Sequence, residues 1–297
     1  MKIIKSFAPK AIALALLFPA TAKCLEPSNT YYLTITEACS RNTKTKLADG
    51  TISATDVPSR VEIRLKVKAR PKLEAGSELK DVNAWILTTE GLDAKIEIVP
   101  GNVGEIAVTE DGKGSFKVNG QVIDLPAVAK DLVGKEIEVG YEKNEGWGVS
   151  KCPQALTDAW AKLGIGDPKY VFALASSPLS FLSGQKTVMI PIKFSFSPES
   201  LSLPLALKEI SKTSENLTVE ASHSLNEALA IPNAVSDKGS TALKAKGILQ
   251  ATGDSLVVRS ANLELQLPDV KIEGLAAPMV EATIQNYTCG VKIEPAK

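Results

Sequence analysis

The sequence has one histidine, His223, in 297 residues, and Trp, Tyr and Phe together make only 5% of it. A single imidazole excludes a His-rich metal centre, and the scarcity of aromatic rings argues against the stacking platforms of a sugar hydrolase. Basic and acidic residues number 34 each, so no surplus of positive charge marks a nucleic-acid surface. No C-x-x-C pair occurs, which removes the usual redox and zinc-knuckle spacings. P-loop, dinucleotide-binding, nucleophile-elbow and H-E-x-x-H patterns are also missing. Gly112-Lys113-Gly114-Ser115 has the glycines of a phosphate loop without its spacing, and reads as a hairpin turn. No cofactor, metal or nucleic acid is therefore expected. After the first two dozen residues no apolar run is long enough to cross a bilayer as a helix.

What is present begins with a leader. Lys2, Lys5 and Lys10 precede the apolar run Ala11 to Phe18, and Pro19-Ala20-Thr21-Ala22 supplies the small residues of an A-x-A cleavage site. Residues 1–22 read as a secretory signal peptide of bacterial type, and the expected location is the periplasm or exterior of a Gram-negative cell. Lipid attachment at Cys24 is disfavoured because Lys23, and no small residue, stands before it. Cleavage would remove three of the 34 basic residues and no acids, leaving 31 against 34 and a net charge of −3. The full sequence is 44% hydrophobic, enough for a sizeable core.

Cys24, Cys39, Cys152 and Cys289 form an even set in a compartment that permits oxidation, so two disulfides are expected. Three connectivities exist; spacing favours Cys39 with Cys152, which leaves Cys24 for Cys289.

Val61 to Lys68 places apolar residues at every odd position and charges at every even one, the pattern of a half-buried strand. Lys135 to Tyr141 repeats it, and between them short apolar runs are divided by Glu90-Gly91, Pro100-Gly101, Asp111-Gly112 and Asn119-Gly120. Asn-Gly suits the type I′ turn of a two-residue hairpin. Two short helices are predicted, over 124–134 and from Pro153 to Gly164, the second with Leu156, Trp160 and Leu163 on one face. Beyond Pro168 the composition shifts to Ser, Leu and Ala, and alternation returns at Lys186 to Phe196, Leu217 to Ala221, Leu243 to Leu249, Leu256 to Val258, Leu263 to Leu267 and Val280 to Ile284. Pro191, lacking an N–H, marks an edge strand or bulge. The expectation is a mainly β chain of two antiparallel β-sandwich-like domains, with the two helices near their junction. The boundaries are 1–22 for the leader, 23–152 for the first domain, 153–168 for a helix and linker, and 169–297 for the second domain.

His223 continues the apolar face of Leu217, Val219 and Ala221, while Ser222 and Ser224 point the other way, so no catalytic pair is expected there. One surface feature stands out. Arg60, Arg64, Lys66, Lys68, Arg70 and Lys72 share the polar face of one strand, with same-face neighbours roughly 6–7 Å apart. This stripe could meet an anionic glycan or lipid headgroup, unless Glu136, Glu138 and Glu142 neutralise it from a neighbouring strand. The leading expectation is a non-catalytic envelope protein acting in binding, adhesion or surface structure, with a glycan, lipid or another envelope protein as partner. The alternative is a carrier of a hydrophobic ligand such as a lipid, which requires an apolar cavity open to solvent. A third is a hydrolase using two carboxylates, which would show only as acids sharing a cleft.

Overall fold

The computed structural model describes residues 24–25, 29–73, 83–99, 101–142, 146–181, 186–192, 201–213, 216–224, 229–230, 240–242, 244–253, 257–268, 270–273 and 280–296. The expected leader lies outside the described residues. The first half of the chain contains β1 (Cys24–Leu25), β2 (Thr30–Lys46), β3 (Ile52–Pro71), β4 (Ala84–Val99), β5 (Asn102–Val108), β6 (Gly114–Val118) and β7 (Gln121–Asp124). Next come α1 (Pro126–Leu132), β8 (Glu136–Glu142), β9 (Gly146–Lys151), α2 (Gln154–Leu163) and α3 (Pro168–Phe181). The rest is β10 (Thr187–Ile192), β11 (Leu201–Lys212), β12 (Asn216–Ser224), β13 (Leu229–Ala230), β14 (Ser240–Ala242), β15 (Lys244–Gly253), β16 (Val257–Pro268), β17 (Lys271–Glu273) and β18 (Val280–Pro295).

The period of two in the sequence sets the two faces of these strands. On β3, Ile63, Leu65, Val67 and Ala69 are buried, while the charged residues between them point outward. β15 buries Ala245, Leu249 and Ala251, and β10 buries Val188, Ile190 and Ile192. At the β6–β7 hairpin, Asn119 (φ 49°) and Gly120 (φ 81°) adopt the left-handed backbone of the expected turn. Gly112-Lys113-Gly114 likewise lies at the turn joining β5 and β6, and Gly114 is tightly placed: a Cβ there would stand 2.8 Å from Ala129 Cβ and 2.9 Å from the Leu125 carbonyl.

The strands join one sheet where two sandwiches were expected. Taken by hydrogen-bonded neighbours, its main run is β9, β8, β4, β3, β2, β18, β16, β15, β12, β11, β10, antiparallel throughout. β5 to β7 branch from the second half of β4, β13, β14 and β17 attach near the start of β18, and β1 pairs in parallel with β16. The last strand, β18, sits between β2 from the start of the chain and β16 from its second half. Residues 153–168, expected as a helix and linker, carry α2 and the turn into α3, and contribute Leu156, Trp160 and Ile165 to the core. Alternation fixes which face of a strand is buried; it does not fix the neighbouring strand, and so two sets of strands and one look alike in sequence.

α1 and α2 form where the sequence places them, with Gly164 (φ 68°) ending α2 in the left-handed conformation. α3 is the element the sequence did not announce. It buries Val171, Phe172, Leu174, Ala175, Ser176, Ser177, Leu179 and Ser180, residues from all sides of the helix. It touches β2, β8, β9, β10, β16 and β18, strands from both halves of the sheet, and Phe172 packs against Trp160 of α2 with ring centroids 6.4 Å apart. The sheet therefore curls around α3 as a barrel split along one side.

Candidate binding site at the barrel seam

The split lies between β9 and β10, which end the main run of strands and have one strand partner each among the described residues. Pro191 in the middle of β10 accords with the edge position expected from its missing N–H. A cleft of about 730 Å³ occupies the seam. Its apolar lining comes from Trp147, Val149, Met189 and Pro191 on the two edges and from Ala173, which α3 presents as the floor. Its polar lining comes from Lys72, Asn83, Glu138, Ser150 and Ser202. There Lys72 Nζ stands 2.8 Å from Glu138 Oε2, and the Ser150 hydroxyl donates to Glu138 Oε1 at 3.0 Å. The Lys72 ammonium, ahead of the weaker effect of Ser150, holds the Glu138 carboxyl below its ordinary range.

α3 is tied to the seam from beneath. The backbone N–H of Trp147 donates to Ser180 Oγ at 2.8 Å, which covers one donor on the β9 edge. The Trp147 ring packs on Tyr141 at 5.6 Å, and its indole N–H, buried, has no hydrogen-bond partner. Deeper in, the space between helix and sheet is filled. A void of about 10 Å³ lies among Trp85, Trp147, Ala175 and Leu179, and another of about 10 Å³ among Trp160, Leu65, Leu132 and Val108. Neither is large enough for more than a single water.

At its first turn α3 meets a second polar group. Glu37 of β2 continues the inward face of Tyr31, Leu33 and Ile35, and its Oε1 accepts hydrogen bonds from the hydroxyls of Tyr170 on α3, at 2.5 Å, and of Tyr287 on β18. Burial, followed by its anionic and polar neighbours, pushes the Tyr287 hydroxyl well above its ordinary pKa. The signal in the sequence was a carboxylate at an odd, core-facing position of an alternating run. The seam residues Trp147, Val149, Met189 and Ala173 had no such signal, because they come together only when the sheet curls.

Five of the six cations of the expected anion stripe lie along the outer face of β3, the sixth, Lys72, lies just past its end at the seam cleft, and the geometry there is one of internal pairing. Arg70 makes two contacts of 3.0 and 3.1 Å to Glu136, Lys72 reaches Glu138, Lys66 pairs with Glu110, and Arg60 stands 3.4 Å from Glu62. Arg64 lies over the Tyr32 ring at 3.8 Å, and Lys68 is exposed opposite Thr30 and Thr88. Among the described residues the thiols of Cys39, Cys152 and Cys289 are unbridged, against the expected disulfides. Their places in the fold explain it. Cys39 lies on β2 against Ser59, with Sγ and Oγ 2.9 Å apart, Cys152 precedes α2 beside Thr157, and Cys289 faces Glu37 across the β18–β2 ladder. Burial raises the Cys152 and Cys289 thiols above the ordinary value, so both stay protonated and unreactive at neutral pH. The Cys24 side chain lies outside the described residues, as does that of His223, whose backbone pairs with Ala245. Among the described residues no group of acids, cysteines or histidine could hold a metal ion, and no helix is long and apolar enough to cross a membrane.

No protein-family model matches the sequence, and no curated protein matches it. Among solved structures, the chain is similar to one titled for lipid–protein interactions in lipovitellin, at 10% identity and a TM-score of 0.38 over 92% of this chain. It spans a quarter of that lipovitellin chain, 25%. The β domain of the Bordetella autotransporter BrkA is similar at 9% identity and a TM-score of 0.19, with 91% of this chain and 99% of that one covered. A β-barrel-like protein of a domain of unknown function from Brucella abortus is similar at 8% identity and a TM-score of 0.17, with 92% and 100% covered. At TM-scores below 0.5 these likenesses establish neither a shared fold nor a shared function.

Proposed function

We propose that this chain is a non-catalytic binding protein of the bacterial envelope that holds a hydrophobic or amphiphilic ligand at its seam. The observation that carries this is the cleft of about 730 Å³ between the two edges of the split barrel, apolar along Met189, Pro191 and Val149 and polar at Lys72 and Glu138. Ligand sites are concave, with a few polar groups set in an apolar wall, and the volume falls in the usual range. A ligand carrying both apolar and charged groups fits that mixed lining. The envelope location rests on the leader-like residues 1–22 and their A-x-A site. Adhesion through the outer cations is the weaker reading, since four of the six already face carboxylates at close range.

The test is uptake of the fluorescent apolar probe N-phenyl-1-naphthylamine by the purified chain. Saturable uptake is expected, and Ala173→Trp, which places a large side chain on the cleft floor, should abolish it while the far-UV spectrum stays that of a β protein. A folded wild type that takes up no probe, or an Ala173→Trp variant that binds as well as wild type, would overturn the proposal.

A further inference from the structure

We propose that the space α3 fills is itself the chamber for the ligand's hydrocarbon chain, with α3 as a plug that a single-chain carboxylate or ester amphiphile displaces. This rests on the seam as the ligand's point of entry. Three independent observations point to the chamber. First, the indole N–H groups of Trp85, Trp147 and Trp160 are buried without a hydrogen-bond partner, and Trp85 and Trp147 are residues of the same small void beneath α3. Such donors are costly to leave unmet in an apolar interior, and the carboxyl or ester oxygen of a ligand whose chain fills the void would meet the Trp147 indole at the seam end, since Trp147 lines both the cleft and the void. Second, the wall around that void is aliphatic, formed by Leu33, Leu87, Val139 and Ile293, the lining a hydrocarbon chain requires.

Third, α3 is poorly suited to be a permanent core helix. It buries three serines, two of which turn back on their own helix: Ser176 Oγ donates to the Phe172 carbonyl at 2.8 Å and Ser177 Oγ to the Leu174 carbonyl at 2.6 Å. Pro178 lies inside the helix and cannot donate to Leu174, the carbonyl that Ser177 serves instead. Polar links stand near both ends, Tyr170 to Glu37 and Ser180 to the Trp147 N–H, and the seam cleft runs alongside with Ala173 exposed to it. Release of the plug requires competition for its polar links and a hydrocarbon chain long enough to replace the apolar contacts of the buried Val171, Phe172, Leu174 and Leu179.

If the plug must leave before the chain enters, the apparent dissociation constant equals the intrinsic one divided by the open fraction. Loosening the plug must then tighten binding, an effect that simple damage to a site does not produce. The experiment titrates palmitate, by displacement of N-phenyl-1-naphthylamine, into the full chain as wild type, Ser180→Ala, Tyr170→Phe and Pro178→Ala. Ser180→Ala and Tyr170→Phe should bind palmitate about fivefold to tenfold more tightly. Pro178→Ala, which restores the helix N–H, should bind it more weakly by a similar factor. Unchanged or weaker binding in both loosened variants overturns the plug even if wild type binds palmitate. Should either loosened variant fail to fold, the other and Pro178→Ala still decide the matter. A wild type that takes up the probe but not palmitate also overturns this inference and leaves the seam site standing; uptake of neither removes both.

Discussion

A carboxylate on the core-facing side of a strand must find donors, and Glu37 finds two tyrosine hydroxyls. Glu37→Leu leaves the Tyr287 hydroxyl buried without that acceptor and should cost about 1–3 kcal/mol in urea unfolding, as should Tyr287→Phe, which strips a donor from the charge. The double variant should cost less than the sum of the two, because the polar pair is removed together. Gly114 is fixed by contact: the added Cβ of Gly114→Ala would press on Ala129 Cβ and a backbone carbonyl, neither able to swing away, so a loss of about 1–3 kcal/mol is expected by the same assay. On the outer face the magnitude is smaller. Arg70 and Glu136 are about half exposed, so Arg70→Ala should cost less than about 1 kcal/mol, and less still in high salt. In the β5–β6 turn, the Lys113 ammonium, with help from the Thr109 hydroxyl, draws the Asp111 carboxyl down from 3.8 to about 2. Since the folded value is the lower one, its contribution is complete above the ordinary value and fades as pH falls toward about 2, and an NMR titration of the Asp111 carboxyl should find its midpoint there.

At the scale of elements, the strands were largely legible and α3 was not, for one physical reason. Where one face meets the core and the other meets water, the sequence alternates, and Val61 to Lys68 or Lys186 to Ile192 can be read directly. α3 is buried on nearly every side, with only Lys169 exposed among the described side chains and Tyr170 and Ala173 partly so, so its sequence has no broad polar face and no clear helical period to read, and the interior Pro178 argues against a helix altogether. The seam was hidden for the same reason, since α3 supplies its floor. The cost of that proline can be measured. Pro178→Ala lets residue 178 donate to Leu174 and should stabilise the chain by about 1–3 kcal/mol in urea, unless the loss of the ring opens a gap of equal cost.

At the scale of the molecule, the order of strands decides how the chain unfolds. The last strand stands mid-sheet between partners from both halves and joins them in one sheet. A single urea transition is expected by fluorescence and circular dichroism alike, and removing residues 280–297 should abolish folding of both halves; two transitions would restore the two-domain arrangement. Partner choice among strands was the part the sequence withheld, because Val61 to Lys68 would look the same beside any neighbour that buries its odd face. The central claim, that ligand enters the seam and takes the place of α3, is tested most directly by amide hydrogen exchange with and without saturating palmitate. Faster exchange in residues 168–181 on binding, with residues 187–192 slowed and β3 unchanged, is the expected result; α3 equally or better protected in the bound protein would contradict it.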